Sequence, residues 1–146
     1  MIVSFTGTRK GMGDSQHSRV LELVAEFAPT EVHHGDCVGA DAEFAEIVGT
    51  CPLFKSEVVA HPGVPKHSGH RLYRANSKYN TQNLKEKPYL ERNREMVDLL
   101  GPDDVLIAAP APDSVGTEYT IDYGIKKGKK VVIVDTEGVV TRIGFN

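Results

Sequence analysis

Glycine and hydroxyl-bearing residues follow an apolar run late in the chain. The run Val105–Ala109 ends at Pro110, and the loop after it contains Ser114, Gly116 and Thr117. A helical pattern begins here, and the first N–H groups of a helix have no partner inside the helix, so they can bind an anion. The pattern therefore predicts a phosphate site at the start of a helix.

A second glycine-containing loop lies near the start of the chain. It follows the short apolar strand predicted for Ile2–Thr6 and includes Gly7, Thr8 and Arg9. Glycine lets the backbone approach a ligand closely, and an arginine can contact a phosphate through two N–H groups. The loop is neither a GxGxxG motif nor a Walker loop, so a plain tight turn is the alternative interpretation.

A third loop carries two carboxylates. It directly follows His34, begins at Gly35 and contains Asp36 and Asp41. Acidic residues at the start of a helix can cap it and complement its dipole. In a ligand site, the same carboxylates would bind ribose hydroxyls or stabilise a cationic transition state. Both roles stay open, and His34 is a further candidate for ligand contact.

Two neighbouring polar residues on a predicted helix complete the set of candidate contacts. Arg92 and Asn93 are about 100° apart around the helix axis, so they can reach different parts of one ligand. Their alternative role is solvated surface. Three histidines, His61, His67 and His70, have a spacing that matches no recognised metal site. The sequence therefore predicts neither a metal nor a resident cofactor.

Strands and helices alternate along most of the chain. Apolar runs without a polar face predict strands that are buried on both sides, as in parallel sheets. We therefore predict an α/β fold, a three-layer Rossmann-like sandwich with a parallel sheet of about five strands. A short antiparallel edge strand is predicted over 139–143. Residues 1–146 are expected to form one domain, with the three loops together at the carboxyl ends of the strands.

The segment 61–87 departs from this pattern. It has no apolar period, and it carries six basic residues against one acidic residue, a local charge of +5. The whole chain has a net charge of −3, so the remainder carries −8. Because a long irregular segment in a compact domain is often functional, we interpret 61–87 as a basic lid or insertion with some local helix.

Charge and composition narrow the range of functions. An acidic body with one basic segment is unlike a duplex DNA binder and suits a small anionic ligand. The chain has no apolar run of membrane-spanning length and no signal peptide pattern. Its two cysteines, Cys37 and Cys51, are too few for a disulfide framework. These features predict a cytoplasmic protein that does not contact a membrane.

Four stretches together resemble the SLOG superfamily. This Rossmann-like group includes the Lonely guy phosphoribohydrolases, DNA-processing protein A and molybdenum-cofactor carrier proteins. The similarity covers most of the chain except the lid, and its stretches are Thr6–Arg9, His34–Asp41, Glu91–Met96 and Gly116–Thr117. The resemblance implies a nucleotide or nucleotide-like ligand at the strand carboxyl ends. It also implies a homodimer.

One substitution bears on catalysis. Lonely guy proteins have a glutamate three residues after the threonine of their GT pair, and nucleoside deoxyribosyltransferases have a similar motif. Here Thr120 stands at that position. Cleavage of a glycosidic bond needs a carboxylate beside an oxocarbenium-like transition state, which a threonine cannot supply. Glu118, in the first turn, is the better substitute, with Asp41 or Asp36 as alternatives. The other role of Glu118 is to complement the helix dipole.

Three functional hypotheses follow. The first is an N-glycosidase, similar to the phosphoribohydrolases, that acts on a nucleoside 5′-monophosphate or a related nucleotide. The second is a non-catalytic sensor or carrier of a nucleotide-derived ligand, which the missing glutamate favours. The third is a single-stranded DNA binder similar to DNA-processing protein A, which the acidic body disfavours. Whether the protein is an enzyme therefore stays open at the level of the sequence.

Overall fold

Nine strands and four helices make up the described part of the chain. The computed structural model describes residues 1–65 and 73–146. The strands are β1 (Ile2–Gly7), β2 (Glu31–His34), β3 (Glu57–Ala60), β4 (Gly63–Val64), β5 (Gln82–Asn83), β6 (Lys87–Pro88), β7 (Val105–Ala109), β8 (Lys130–Val134) and β9 (Val140–Ile143). The helices are α1 (Asp14–Phe27), α2 (Ala40–Thr50), α3 (Tyr89–Asp98) and α4 (Val115–Lys126).

Seven of the strands form one sheet in the order β5-β3-β2-β1-β7-β8-β9. Neighbouring strands are parallel except β8 and β9, which run antiparallel. The strands β4 and β6 form a separate parallel ladder. The predicted α/β Rossmann-like fold is therefore confirmed, and so is the antiparallel edge strand. The parallel part of the sheet has six strands, against about five predicted, and β9 is the seventh strand.

Successive residues of the central strands belong to two different hydrophobic layers. On one face, Phe5 and Ile107 share a cluster with residues of α1 and α2, and the Phe5 ring stacks on Phe44 with 4.3 Å between centroids. On the other face, Leu106 packs with Val97 of α3. Because strand side chains alternate between faces, a strand covered on both sides is apolar throughout. Within the described residues, no helix has the length and apolarity needed to cross a membrane.

The segment 61–87, predicted as a lid, contributes two short strands and the start of a third. β5 extends the main sheet beside β3, and β4 pairs with β6. The N–H of Val38 donates to the carbonyl of Tyr73, so the chain after the undescribed stretch lies along the loop that follows β2. Residues 66–72 lie outside the described residues, and with them the predicted lid residues Lys66, His67, His70 and Arg71.

The loops after β1 and β2 are in direct backbone contact. The Ala40 N–H donates to the Thr8 carbonyl at 2.9 Å. Between these loops, Gly39 has φ +93°, and a Cβ there would overlap the carbonyl of Arg9 and lie 2.7 Å from the Thr8 oxygen. Glycine is therefore required at this position both by the backbone conformation and by the close approach of the two loops.

We expect Gly39→Ala to lower the free energy of unfolding by about 2–4 kcal/mol, because it adds both backbone strain and a steric overlap. Urea denaturation followed by circular dichroism would measure the change. The control is Gly13→Ala, since a Cβ at Gly13 meets no atom within 4 Å. Equal stability of the two variants would show that the loops do not need this close contact.

Candidate functional site

A pocket of about 270 Å³ lies at the carboxyl ends of β1, β2 and β7. These strands are neighbours in the sheet, so the loops that follow them meet at one rim. The volume is near the lower end of the range for small-molecule sites, about 300–1,000 Å³. Nine of the twelve residues predicted for the site line it: Gly7, Thr8, Arg9, Asp41, Arg92, Asn93, Ser114, Gly116 and Thr117.

The N-terminus of α4 presents two backbone donors at the pocket wall. In the described structure, the N–H groups of Gly116 and Thr117 have no acceptor, whereas those of Val115 and Glu118 donate to carbonyls of the preceding loop. Gly116 has no side chain to block access, and the Thr117 residue is buried. Two unpaired donors at a positive helix terminus can bind an anion, as the sequence predicts for this turn.

Two cations on the loop after β1 lie at the same pocket. The Arg9 guanidinium stacks 3.9 Å from the centre of the Tyr73 ring, which holds an otherwise exposed side chain in place. The Lys10 N–H donates to Thr8 Oγ1 at 3.1 Å, and this bond shapes the turn that carries both cations. Together with the α4 donors, these charges make one end of the pocket attractive to a phosphate.

Arg92 is buried in the pocket wall, and most of its donors bind protein. Its Nη1 donates to the carbonyls of Gly35 and His61 at 2.5 and 2.9 Å, and its Nε donates to Asn93 Oδ1 at 2.7 Å. Its Nη2 lies 3.6 Å from Cys37 Sγ. Only one of the five N–H groups of the guanidinium is left for a ligand. The main role of Arg92 is therefore to position the loops of the site, and it has little capacity left to bind a phosphate.

Asp41 is buried beside Arg92 and is incompletely paired. Its Oδ2 accepts the Cys37 N–H at 3.3 Å, whereas its Oδ1 has no partner in the described structure. Burial raises the pKa of the Asp41 carboxyl, against the opposing charges of His34 and Arg92. Burial and the nearby Asp41 also raise the pKa of the Cys37 thiol, so Cys37 is protonated at neutral pH and is a poor nucleophile.

Two predicted ligand residues after β2 lie outside the pocket wall. Asp36 is fully buried with φ +52°; its Oδ1 accepts the Ser77 N–H at 3.0 Å, and its Oδ2 lies 3.6 Å from Arg74 Nε. It thereby anchors the chain that follows the undescribed stretch. Gly35 passes between Arg92 and Asp41, where a Cβ would overlap the guanidinium and lie 2.8 Å from the carboxylate.

His34 also anchors this chain. Its Nδ1 accepts the Asp36 N–H at 2.9 Å, so its proton is on Nε2, which donates to Asn80 Oδ1 at 2.7 Å. The ring is fully buried and does not line the pocket. The sequence identified His34, Gly35 and Asp36 as one motif, but it could not show that their partners are protein atoms.

Neither Glu118 nor Thr120, the residue at the position of the family glutamate, lines the pocket. Glu118 is exposed and is not part of the pocket wall. Thr120 is fully buried, and its Oγ1 donates to the Gly116 carbonyl at 2.8 Å. The hydroxyl at the position of the family glutamate is therefore used inside the helix. The carboxyl group that lines the buried part of the pocket is that of Asp41.

A row of hydrogen-bonded histidines and carboxylates lies behind Arg92. His33 Nε2 contacts Glu31 Oε2 at 2.7 Å, His33 Nδ1 contacts His61 Nε2 at 2.6 Å, and His61 Nδ1 contacts Glu95 Oε1 at 2.7 Å. Lys87 pairs with the other oxygen of Glu95. Sequence reasoning missed this row, although the alternation of His33 and His34 along β2 shows that their rings lie on opposite faces.

The pKa of His61 sets the direction of two contacts in this row. Burial lowers the pKa of His61 to about 4, despite its hydrogen bond to Glu95, so His61 is neutral near pH 7. A neutral imidazole donates through one nitrogen and accepts through the other. His61 therefore donates through Nδ1 to Glu95 and accepts through Nε2 from His33 Nδ1.

Metal coordination finds no support in the part of the chain that is described. No group of three or more histidine, cysteine, aspartate or glutamate side chains there is arranged to hold a metal ion. Of the three histidines considered for a metal, His61 belongs to the buried row, and His67 and His70 lie outside the described residues.

Comparison with known proteins identifies a similar fold. The sequence matches no protein-family model and no curated protein. A solved structure, the molybdenum cofactor binding protein from the phototrophic bacterium Rippkaea orientalis, is similar with a TM-score of 0.66 and 16% identity. The similarity covers 92% of this chain and 76% of that chain. At this identity the likeness establishes a shared Rossmann-like fold.

Acid should destabilise the protein partly through His61. Its pKa is about 4 in the folded chain and about 6.5 when unfolded, so between these values the unfolded chain binds more protons. The free energy of unfolding should therefore fall as the pH decreases from 6.5 to 4, by up to about 3 kcal/mol from this residue.

Urea denaturation at several pH values, for the wild type and for His61→Gln, would measure this contribution. The variant should be less stable at pH 7 but should lose less stability on acidification. His17→Gln, on α1, is the matched control and should keep the wild-type dependence. The same pH dependence in His61→Gln and the wild type would exclude this role for His61.

Proposed function

We propose that this chain binds a nucleotide or a nucleotide-derived molecule, as a carrier or sensor. The observation that carries the proposal is the pair of unpaired N–H groups of Gly116 and Thr117, which line the same pocket as Arg9 and Lys10. This arrangement suits a phosphate group. We further propose that residues 1–146 act as one ligand-binding domain of the SLOG type.

The rest of the pocket suits the remainder of a nucleotide. Its buried part holds the polar side chains of Asp41 and Asn93, which can contact a sugar. Its border carries Leu90 and Val115, which are 47% and 78% exposed and offer apolar surface to a base. The pocket therefore offers a suitable partner for each of the three groups of a nucleotide.

Binding without catalysis is favoured by the position of the carboxylates. Glu118 lies outside the pocket wall, and Thr120 has its hydroxyl bonded within α4. Arg92 and Cys37 are occupied in holding the loops. The similar structure from Rippkaea orientalis is a molybdenum cofactor binding protein, which gives a precedent for a binding role on this fold.

An N-glycosidase is the second candidate, and one observation favours it. Asp41 lines the pocket with an unpaired Oδ1, and its pKa is raised by burial. A carboxyl group with a raised pKa can protonate a leaving base, and once ionised it can stabilise an oxocarbenium-like transition state. In an N-glycosidase, Asp41 would then be the catalytic carboxyl group, a role for which the sequence favoured Glu118.

We expect nucleoside 5′-monophosphates to bind the full chain and the matching nucleosides to bind much more weakly. Isothermal titration calorimetry with a panel of both would measure this difference. Arg9→Met should weaken binding of the monophosphates about tenfold, because it removes a charge-assisted hydrogen bond, and should leave nucleoside binding unchanged. Lys126→Met, an exposed cation at the far end of α4, is the control. Equal affinity for nucleosides and monophosphates would contradict the phosphate site.

Release of free base from the same panel, followed by chromatography, separates the two candidate functions. A carrier or sensor should release no base above the uncatalysed rate. Release that is lost in Asp41→Asn but kept in Glu118→Gln would establish the glycosidase and its carboxyl group. Release that is lost only in Glu118→Gln would restore the first assignment made from the sequence.

We also propose that the chain forms a homodimer in the cytoplasm, as the resemblance to SLOG proteins and the composition imply. Sedimentation velocity of the full chain would test the dimer. The expected species has twice the chain mass of 16.0 kDa, and a single species at that chain mass would contradict it.

A further inference from the structure

We propose that Asp41 determines which ligands the pocket accepts by taking a hydrogen bond from a hydroxyl group of the ligand's sugar. This inference rests on the proposed nucleotide-binding function and identifies a ribose-bearing nucleotide as the ligand class. Four observations support it: the unpaired oxygen of Asp41, the way its other oxygen is held, the amide of Asn93 in the same pocket wall, and the other groups of the pocket that suit a phosphate and a base.

The unpaired oxygen is the first observation. Asp41 is 5% exposed, lines the pocket, and its Oδ1 has no hydrogen-bond partner in the described structure. An unsatisfied oxygen in a buried carboxyl group is costly, and native proteins keep such a group where something else completes it. Because Asp41 is one of the residues that line the pocket, a bound ligand can supply the missing donor.

The other oxygen sets the polarity of the site. Oδ2 accepts the Cys37 N–H, and the Gly35 N–H also favours the ionised carboxylate. Backbone N–H groups can only donate, so the side chain must direct an acceptor towards them. In the ionised carboxylate, Oδ1 is therefore an acceptor for the pocket, and it selects a ligand group that donates a hydrogen bond.

Asn93 indicates that the donor is a hydroxyl. Its Oδ1 is occupied by Arg92 Nε, which leaves its NH₂ as a donor at the pocket wall. Asn93 is held by Arg92 Nε, and Asp41 is held by the N–H of Cys37, whose sulfur also contacts Arg92. A hydroxyl both donates and accepts, so it satisfies a carboxylate oxygen and an amide NH₂ together.

The groups of a nucleotide indicate a sugar hydroxyl. The N–H donors of Gly116 and Thr117 suit the phosphate, and the apolar side chains of Leu90 and Val115 suit the base. Among the remaining groups of a nucleotide, the sugar hydroxyls are the ones that both donate and accept a hydrogen bond. A ribose presents two hydroxyls, at its 2′ and 3′ positions.

The test compares ligands and variants in one cycle. Calorimetry would measure the affinity of the wild type and of Asp41→Asn for adenosine 5′-monophosphate and its 2′-deoxy, 3′-deoxy and 2′,3′-dideoxy forms. We expect the wild type to lose about 10- to 100-fold in affinity when the contacted hydroxyl is absent, as for a hydrogen bond to a charged group. Asp41→Asn should lose less than about threefold.

The asparagine variant is informative because its orientation is constrained. The N–H groups that hold Oδ2 should bind the amide oxygen, so the NH₂ group should face the pocket. An acceptor in the pocket is thereby replaced by a donor with little change in shape. Asp122→Asn, at an exposed position of α4, is the matched control and should keep the wild-type preference for ribose.

The outcomes distinguish a failure of the Asp41 assignment from a failure of nucleotide binding. Equal affinity of the wild type for the ribose and dideoxy forms would overturn the assignment of Asp41 while leaving nucleotide binding intact. The same ribose preference in Asp41→Asn and the wild type would also overturn it. Absence of binding for every nucleotide would overturn the proposed function and this inference together.

The pH dependence of the wild type gives a second readout if Asp41→Asn does not fold. The charged or titratable groups around Asp41 are Arg92 from α3, His34 from β2 and Cys37 from the preceding loop. A hydroxyl donor favours the ionised carboxylate, so the preference for ribose over dideoxyribose should decrease as the pH falls. Comparing two ligands with the same phosphate cancels the titration of the phosphate. A preference that grows in acid would overturn the assignment.

Discussion

The buried guanidinium of Arg92 is the interaction on which the architecture of the site depends. It extends from α3 and donates to the carbonyls of Gly35 and His61, at the ends of β2 and β3. A buried charge is tolerated only when its hydrogen bonds are satisfied, so these loops must follow the shape of the guanidinium. The absence of a side chain at Gly35, where a Cβ would overlap the guanidinium, is a direct consequence.

This arrangement gives the pocket groups of different polarity. Asp41 and Asn93 are buried in its wall with Arg92, whereas the cations Arg9 and Lys10 are exposed. The positive charge of Arg92 is largely used by protein acceptors, so the attraction for a phosphate comes from the helix terminus and the outer cations. The pocket can therefore hold an anion and also keep an unpaired acceptor.

The sequence predicted the fold where residue patterns are repetitive. β7 is apolar throughout, β1 is mostly apolar, and α4 follows a loop of small residues, so their order already indicated a parallel α/β sheet. It did not predict β4, β5 and β6, because strands of two residues show no period and form only beside a partner. Nine of the twelve predicted site residues line the pocket. Their position follows from the parallel sheet, because loops that follow neighbouring parallel strands meet at one rim.

By itself, the sequence determined the fold class, the rim that carries the site and the loops that form it, because these follow from local periodicity and from the chirality of strand–helix–strand units. The tertiary structure decided which side chains of those loops are available to a ligand. Asp36 and Asp41 are similar in sequence context, and each has one oxygen without a hydrogen bond in the described structure. That oxygen of Asp36 faces Arg74, and its other oxygen binds Ser77, whereas Asp41 lines the pocket. That difference depends on hydrogen-bond partners distant in the chain, which residue spacing does not encode.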